Sequence, residues 1–181
     1  TATHRIILIH GWGADADDLL TLGKEITDKI NFDFEVISLR APGLHPSGLG
    51  RQWYGLYPHD WKEAEIEVNR LLVTLKKFDN DQISLRKTIL FGFSQGAAMV
   101  IDAGFKINPG LIIACSGYPH PTWLLGEKCP PIIISHGLLK SGNTFYFQVL
   151  YTAPGIENGT LGFKGKYFYY KRNLVSLYYS L

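Results

Sequence analysis

The chain has 181 residues with a formal net charge of +2, and 19% of its residues are charged. This near-neutral balance argues against a nucleic-acid-binding protein, which normally carries a basic stripe. A chain of this length is most simply one domain that buries most of the surface exposed by its unfolded form. No apolar run approaches the roughly 20 residues that a membrane span needs. We therefore expect a single domain over residues 1–181, with residues 140–181 as an atypical C-terminal segment.

Cysteine usage and the N-terminus point to a reducing compartment. The two cysteines, Cys115 and Cys129, form neither a disulfide framework nor a metal-ligand spacing. Cys115 closes an apolar run, which indicates a buried and unreactive thiol. The N-terminus shows no charged-then-apolar signal sequence. We therefore expect a cytoplasmic protein without metal, and without a membrane span.

The first predicted elements alternate between strand and helix. Residues 6–9 are a short apolar run and predict a buried strand. Helical spacing follows over residues 15–30, and the residues expected on its inner face are Leu19, Leu22, Ile26 and Ile30. Residues 34–39 predict a second strand, ended by Ala41-Pro42-Gly43. A loop rich in glycine and proline follows over residues 44–59.

The same alternation continues through the middle of the chain. Residues 61–78 predict an amphipathic helix with an inner face of Ile66, Leu71, Leu72 and Leu75 and an outer face of Lys62, Glu63, Glu67 and Arg70. The next predicted elements are a strand at 88–91, a helix at 95–105, and strands at 111–114 and 132–134. Strands that are apolar on both faces and separated by helices predict a mostly parallel sheet covered on both sides. The expected fold class is therefore α/β, in three layers.

The C-terminal segment has a different composition. Residues 1–140 carry 14 basic and 15 acidic groups, whereas residues 141–181 carry four and one, together with eleven aromatic residues. No helical period is visible there, and only residues 167–170 and 174–179 suggest strands.

A nucleophile elbow is predicted at Gly92-Phe93-Ser94-Gln95-Gly96. It lies between a predicted strand and a helix that begins directly after Ser94. Such a turn strains the serine backbone and holds its hydroxyl clear of an α/β-hydrolase sheet. We therefore expect Ser94 to be the catalytic nucleophile of an esterase. The alternative is a glycine-flanked serine that caps an ordinary helix.

A second motif, His10-Gly11-Trp12-Gly13-Ala14-Asp15, directly follows the first strand. The loop at this place supplies an oxyanion donor in α/β-hydrolases. We expect the backbone N–H groups of Trp12 and Gln95 to bind the tetrahedral intermediate. The structural alternative is a glycine-rich turn before a helix, capped by Asp15 or Asp17. Both can hold, because Trp12 would act through its main chain.

Together these motifs resemble the acyl-protein thioesterase/carboxylesterase family of α/β-hydrolases, also called phospholipase/carboxylesterase. The resemblance covers roughly residues 4 to 139, in family order, through Leu8-Ile9-His10-Gly11-Trp12-Gly13-Ala14-Asp15, Arg51-Gln52-Trp53-Tyr54, residues 92–98, Ala114-Cys115-Ser116-Gly117-Tyr118 and Ile134-Ser135-His136-Gly137. It implies hydrolysis of small-molecule carboxylic esters or thioesters, without a cofactor, through Ser94. It also places Trp53 and Tyr54 at the acyl pocket as substrate-binding candidates. For Trp53 a core role is the alternative.

The sequence departs from the family where the rest of the triad should lie. A serine nucleophile needs a base and an acid that orients it, following in the order Ser, Asp/Glu, His. The resemblance puts the acid four residues after His136, where this chain has Lys140, and no histidine occurs beyond His136. The chain is also a few tens of residues shorter than is usual in the family.

No other residue is an evident substitute. We expect Glu127 to be a solvated loop residue and His120 to be a surface-loop histidine near the pocket mouth. His10 and His136 are expected to orient backbone. Without a base, this chain should have almost no esterase activity.

Three explanations remain open for this departure. In the first, the segment after Leu139 is a frame-shifted reading of a normal family C-terminus. In the second, the chain is a pseudo-hydrolase that binds an acyl ligand or a partner. In the third, a rearranged histidine acts as base. The aromatic-, Lys- and Asn-rich composition of the segment is what AT-rich DNA read out of frame encodes.

Overall fold

The computed structural model describes residues 1–123, 130–140 and 144–152, with side chains through residue 123 and over residues 130–135. The elements in this part are β1 (His4–Ile9), α1 (Leu20–Thr27), β2 (Phe34–Leu39), β3 (Gly43–Leu44), β4 (Arg51–Gln52), α2 (Trp61–Lys77), β5 (Thr88–Phe93), α3 (Gln95–Ile107), β6 (Leu111–Cys115), β7 (Ile132–Lys140) and β8 (Thr144–Thr152). One-turn 3-10 helices at Ala16–Leu19 and Leu85–Lys87 precede α1 and β5.

The main sheet has six strands in the order β2-β1-β5-β6-β7-β8. Its first five strands are parallel, and β8 pairs antiparallel with β7. The predicted mostly parallel α/β sheet is therefore confirmed. Ile9 is paired with Gly92, and Gly92 with Ala114. Because parallel strands end at the same edge, the loops after β1, β5 and β6 meet there, at the position where α/β proteins bind ligands.

Each face of the sheet is covered by helix, as a strand with two apolar faces requires. Ile7 and Ile9 of β1 belong to the core cluster that contains the buried residues of α2 and α3. Ile6 and Leu8 point to the other face, in a cluster packed against Leu19 and Ile26. All four of these β1 side chains are fully buried. Complete burial of such a side chain stabilises a fold by about 1.5–3 kcal/mol, so β1 anchors both layers.

The helix that follows β1 is shorter than predicted. A 3-10 turn, capped by Asp15 in a capping box with Asp18, leads into α1, so the proposed Asp15 cap is confirmed. The predicted inner face is wrong at Leu22, which is 38% exposed. Gly23 faces the sheet in its place, because a Cβ there would lie 2.5 Å from Leu8.

The predicted faces of α2 are wrong at two residues. Ile66 is 45% exposed, whereas Glu67 is only 4% exposed. The buried positions follow the spacing Ala64, Glu67, Leu71 and Leu75, which is one helical face and excludes position 66. Burial raises the pKa of the Glu67 carboxyl, and the ion pair with Arg70 opposes this effect.

The start of the C-terminal segment forms strand, which the sequence analysis did not predict. β7 continues past the predicted end at 134 through Lys140, so His136 lies within the strand rather than at its end. β8 pairs with it over nine residues. The sequence of β8 has apolar residues at successive positions, so it lacks the alternation that indicates a strand. The strands predicted at 167–170 and 174–179, together with Glu127 and Cys129, lie outside the described residues.

No helix in the described part of the chain is both long and apolar enough to cross a membrane.

Candidate active site

Ser94 lies at the sharp turn between the last residue of β5 and the first of α3. Its backbone has φ 53° and ψ −116°, a sparsely populated conformation for a residue with a side chain. The Ser94 N–H donates to the Cys115 carbonyl at 2.8 Å, which fixes the turn to the end of β6. The Ser94 side chain is half-buried. A strained serine, held by its neighbours at a strand-to-helix turn, is the arrangement of a nucleophile elbow.

The two elbow glycines leave no space for side chains. A Cβ on Gly96 would lie 2.0 Å from the Ile9 carbonyl oxygen, and one on Gly92 would lie 2.4 Å from the Gly96 carbonyl oxygen. Both contacts are with backbone, which cannot rotate away as a side chain can. The N-terminus of α3 therefore packs directly on the end of β1.

The loop after β1 passes close to Ser94. A Cβ on Gly11 would lie 3.3 Å from the Ser94 Cβ. The loop is tied to β4, because the Gly13 N–H donates to the Arg51 carbonyl and the Arg51 N–H donates to the Ala14 carbonyl, each at 2.8 Å. Its position is therefore set by backbone pairing.

Two backbone N–H groups near Ser94 are available to donate hydrogen bonds to an oxyanion. Gln95 is the first residue of α3, so its N–H has no acceptor within the helix. Among the described residues, the Trp12 N–H donates to no backbone carbonyl. The structure thus brings both predicted oxyanion donors to the neighbourhood of Ser94. The positive end of the α3 dipole adds to the attraction for negative charge.

His10 orients backbone, as predicted. Its ring is fully buried, with Nδ1 2.8 Å from the Gly11 carbonyl oxygen, and the Ala41 N–H donates to Nε2 at 3.1 Å. Burial lowers the pKa of His10, so the imidazole is neutral near pH 7. A neutral ring that donates from Nδ1 and accepts at Nε2 satisfies both contacts.

The side chain of Gln95 clamps the loop that carries Trp53 and Tyr54. The Trp53 N–H donates to Gln95 Oε1 at 2.9 Å, and Gln95 Nε2 donates to the Tyr54 carbonyl at 2.8 Å. The Trp53 indole N–H also donates to the His10 carbonyl at 2.9 Å. Sequence reasoning considered only the backbone N–H of Gln95 and missed this second role.

Trp53 and Tyr54 are core residues in the structure. Trp53 is 5% exposed and Tyr54 is fully buried, and both belong to the larger core cluster. The core alternative for Trp53 is therefore confirmed. Substrate contact by either residue remains a prediction.

His120 is not the surface residue that was predicted, and that prediction is wrong. It is 4% exposed, with Nδ1 2.9 Å from Asp102 Oδ2 and Nε2 2.9 Å from the Tyr54 hydroxyl. The Tyr54 hydroxyl also lies 2.6 Å from that of Tyr118, and Asp102 forms an ion pair with Lys106 at 2.9 Å. Asp102 could have directed attention here, because it is the one acid in the apolar sequence of α3.

Aromatic side chains occur in the loops that follow β1, β4 and β6, and one directly precedes Ser94. Trp12, after β1, contacts His45 and the exposed Tyr57, with ring centroids 4.0 and 5.4 Å apart. On the side of β6, Tyr118 contacts Trp61 at 6.4 Å. Phe93, next to Ser94, is 47% exposed. Phe93 therefore supplies exposed aromatic surface next to Ser94.

In the described part of the chain no hydrogen bond joins an imidazole to the Ser94 hydroxyl, although His45 Nε2 is buried without a partner. Within residues 1–123 and 130–135, the two buried imidazoles, His10 and His120, use both ring nitrogens in the contacts above. Lys140 lies in β7, and the side chain of His136 is outside the described part. The same part contains no cluster of three or more potential metal ligands.

Comparisons with known proteins agree with this geometry. The family described as Phospholipase/Carboxylesterase matches residues 1–149. The crystal structure of esterase PE8 is similar, with 26% identity and a TM-score of 0.65 over 75% of this chain and 69% of that chain. SOBER1 of Arabidopsis thaliana has 18% identity and a TM-score of 0.61, covering 74% of this chain and 73% of that one. A carboxylesterase from Mesorhizobium loti has 18% identity and a TM-score of 0.55, covering 66% and 57%. SOBER1 and the Mesorhizobium loti carboxylesterase are similar to this chain in fold.

Proposed function

Because the chain belongs to the phospholipase/carboxylesterase family of α/β-hydrolases, we propose that it acts on carboxylic esters or thioesters through an acyl-Ser94 intermediate. The observation that supports this most is the backbone of Ser94, with φ 53° at the junction of β5 and α3. Strain of about 1–3 kcal/mol persists only where the surroundings enforce it, and such strain concentrates at active sites.

In the proposed reaction the Ser94 oxygen attacks the ester or thioester carbonyl. The carbonyl oxygen becomes an oxyanion, which accepts hydrogen bonds from the Trp12 and Gln95 N–H groups. Each such donor contributes roughly 3 kcal/mol to transition-state stabilisation. Because the close contact of Gly96 with Ile9 fixes Gln95, this donor needs no rearrangement during the reaction.

The tetrahedral intermediate then collapses: the bond to the alcohol or thiol breaks, the leaving group takes up the proton lost by Ser94, and acyl-Ser94 remains. Water attacks this acyl-enzyme, which releases the carboxylic acid and returns a proton to the Ser94 oxygen. The described residues contain no identified base that would activate Ser94 and the water. Removal of the histidine from a serine triad lowers kcat by a factor of about 10⁶. Substrate binding and the oxyanion hole alone still leave a rate about 10³–10⁴ times that of the uncatalysed reaction in water. The chain as given is therefore a slow hydrolase. A protein from a corrected reading frame that restores an Asp near position 140 and a later His would be a fast hydrolase.

The proposed substrates are small molecules with small to medium acyl groups, and the proposed location is the cytoplasm. Support for the acyl class comes from the exposed aromatic side chain of Phe93, directly before Ser94.

The test compares hydrolysis of p-nitrophenyl butyrate by the chain as given, by the corrected full-length gene product, and by the Ser94→Ala variant of each. The proposal expects fast turnover by the corrected protein, and only the slow residual rate in the chain as given and in both Ser94→Ala variants. Equal turnover by the corrected protein and its Ser94→Ala variant contradicts it.

A second candidate function is binding of an acyl ligand without turnover. It is favoured by the engagement of both buried imidazoles, His10 and His120, with other groups. In this case butyrate esters bind saturably to the chain as given, no product forms, and Ser94→Ala leaves the affinity unchanged. Formation of any butyryl-Ser94 adduct excludes it.

A further inference from the structure

One face of α3 carries two buried polar residues. Gln95 is fully buried and Asp102 is 2% exposed, in a helix that is otherwise almost entirely apolar. They are seven residues apart, which is nearly two turns, so both side chains project from the same face. The loop that carries Tyr54 packs along this face.

Tyr54 connects the two ends of the face. Its carbonyl oxygen accepts from Gln95 Nε2 at 2.8 Å, and its hydroxyl lies 2.9 Å from His120 Nε2. His120 is bound through Nδ1 to Asp102 at 2.9 Å. Hydrogen bonds therefore join Asp102 to His120 and His120 to the Tyr54 hydroxyl, and the covalent structure of Tyr54 connects them to its carbonyl and so to Gln95.

Each bond in this series has a defined direction when the imidazole is neutral. The Asp102 carboxylate only accepts, so His120 carries its proton on Nδ1 and accepts at Nε2. The Tyr54 hydroxyl then donates to His120, and Tyr118 donates to the Tyr54 oxygen at 2.6 Å. The imidazole nitrogens, Asp102 Oδ2 and the Tyr54 hydroxyl are thus all hydrogen-bonded, whereas Asp102 Oδ1 has no hydrogen bond and only the Lys106 ammonium 2.9 Å away. Buried networks of this kind hold their members in one arrangement.

We infer that His120, held by Asp102, is a positioning residue for Ser94 chemistry: it fixes Tyr54, and Tyr54 fixes Gln95. This inference rests on the proposed function, because it assigns its effect to Gln95 as an oxyanion donor. A shift of Tyr54 moves the carbonyl to which Gln95 is bound. The side chain and the backbone N–H of Gln95 belong to one residue at the helix start, so both are displaced together.

The first experiment measures the second-order rate of Ser94 phosphonylation by a fluorophosphonate. His120→Phe removes both polar contacts, whereas His120→Gln retains a donor and an acceptor. Thr27→Val is the matched control, because it removes a buried hydroxyl on α1, on the opposite face of the sheet. His120→Phe is expected to lower the rate about tenfold or more, since misplacement of about 1 Å can lower a rate by 10². His120→Gln is expected to restore most of the rate, and Thr27→Val is expected to change only thermal stability.

The second readout does not depend on reactivity. In ¹H–¹⁵N spectra, the side-chain amide of Gln95 and the backbone N–H of Trp53 should shift in His120→Phe and in Tyr54→Phe, and remain in place in Thr27→Val. Should His120→Phe not fold, Tyr54→Phe serves the same purpose, because it removes the hydroxyl alone.

The outcomes separate the two claims. If these resonances shift but Ser94 reacts neither in this chain nor in the gene product that restores the triad, the proposed function fails while the coupling of His120 to Gln95 is supported. If Ser94 reacts and His120→Phe or Tyr54→Phe changes neither the rate nor the resonances, the positioning role is overturned. A rate loss in Thr27→Val equal to that in His120→Phe also overturns it, since general destabilisation would then explain the effect.

Discussion

Replacement of Gly96 by alanine tests whether contact between α3 and β1 positions the elbow. The added Cβ would lie 2.0 Å from the Ile9 carbonyl oxygen and 2.5 Å from that of His10. An ordinary contact between such atoms is about 3.4 Å, so the start of α3 and the end of β1 must separate by more than 1 Å.

The structure sets the expected size of the effect. Overpacking of this kind destabilises a protein by about 1–3 kcal/mol. A displacement near 1 Å at the reacting groups lowers a rate by about 10². We therefore expect Gly96→Ala to unfold at lower urea concentration and to react with a fluorophosphonate about 100-fold more slowly.

Gly55→Ala is the matched control. The same addition there meets its nearest atom, the Asp60 Cβ, at 3.5 Å, which is an ordinary contact. Urea unfolding and phosphonylation rates are measured on both variants. If Gly96→Ala is as stable and as reactive as Gly55→Ala, then the packing of α3 on β1 does not position the elbow.

Three other predictions concern the same face of the sheet. Ser94→Gly should be about 1 kcal/mol more stable than Ser94→Ala in urea unfolding, because glycine adopts φ 53° without the strain that a Cβ causes; equal stability would mean that Ser94 is unstrained. Gln95→Met should lower the unfolding free energy by about 2–4 kcal/mol, because the buried Trp53 N–H and Tyr54 carbonyl each lose their partner; a loss below about 0.5 kcal/mol would contradict the clamp. Burial raises the pKa of the Asp102 carboxyl, but the interactions with His120 and Lys106 outweigh burial, so the pKa of this carboxyl is lowered. The ionised carboxylate therefore stabilises the fold above about pH 4, and this stabilisation is lost as the pH falls further. Wild type should therefore lose more stability than Asp102→Asn between pH 6 and pH 3, measured by urea unfolding, and parallel losses would contradict this assignment.

Much of the fold follows from local patterns in the sequence. Continuous apolar runs identified four of the five parallel strands, β1, β5, β6 and β7, since strands buried on both faces need no polar alternation. The elbow was found because its glycines, its serine and the change from strand to helix occur together. Asp15 was correctly placed as a cap by residue type alone.

Tertiary packing explains what the sequence did not predict. Leu22 and Ile66 are apolar residues that lie on exposed positions of their helices, and Glu67 is an acid that is buried beside Arg70. Helical periodicity fixes the spacing of a face but not its exact rotation toward the sheet. His120 was assigned to the surface because its neighbours are prolines, whereas its burial depends on Asp102 and Tyr54, which are 18 and 66 residues away in sequence.

The central claim is that Ser94 is the nucleophile, and intact-mass measurement with peptide mapping tests it most directly. The protein is incubated with a fluorophosphonate, and the site of the adduct is located after digestion. The account predicts a single adduct on the peptide that contains Ser94, and none on the Ser94→Ala variant. An adduct on another residue, or equal labelling of Ser94→Ala, would contradict it.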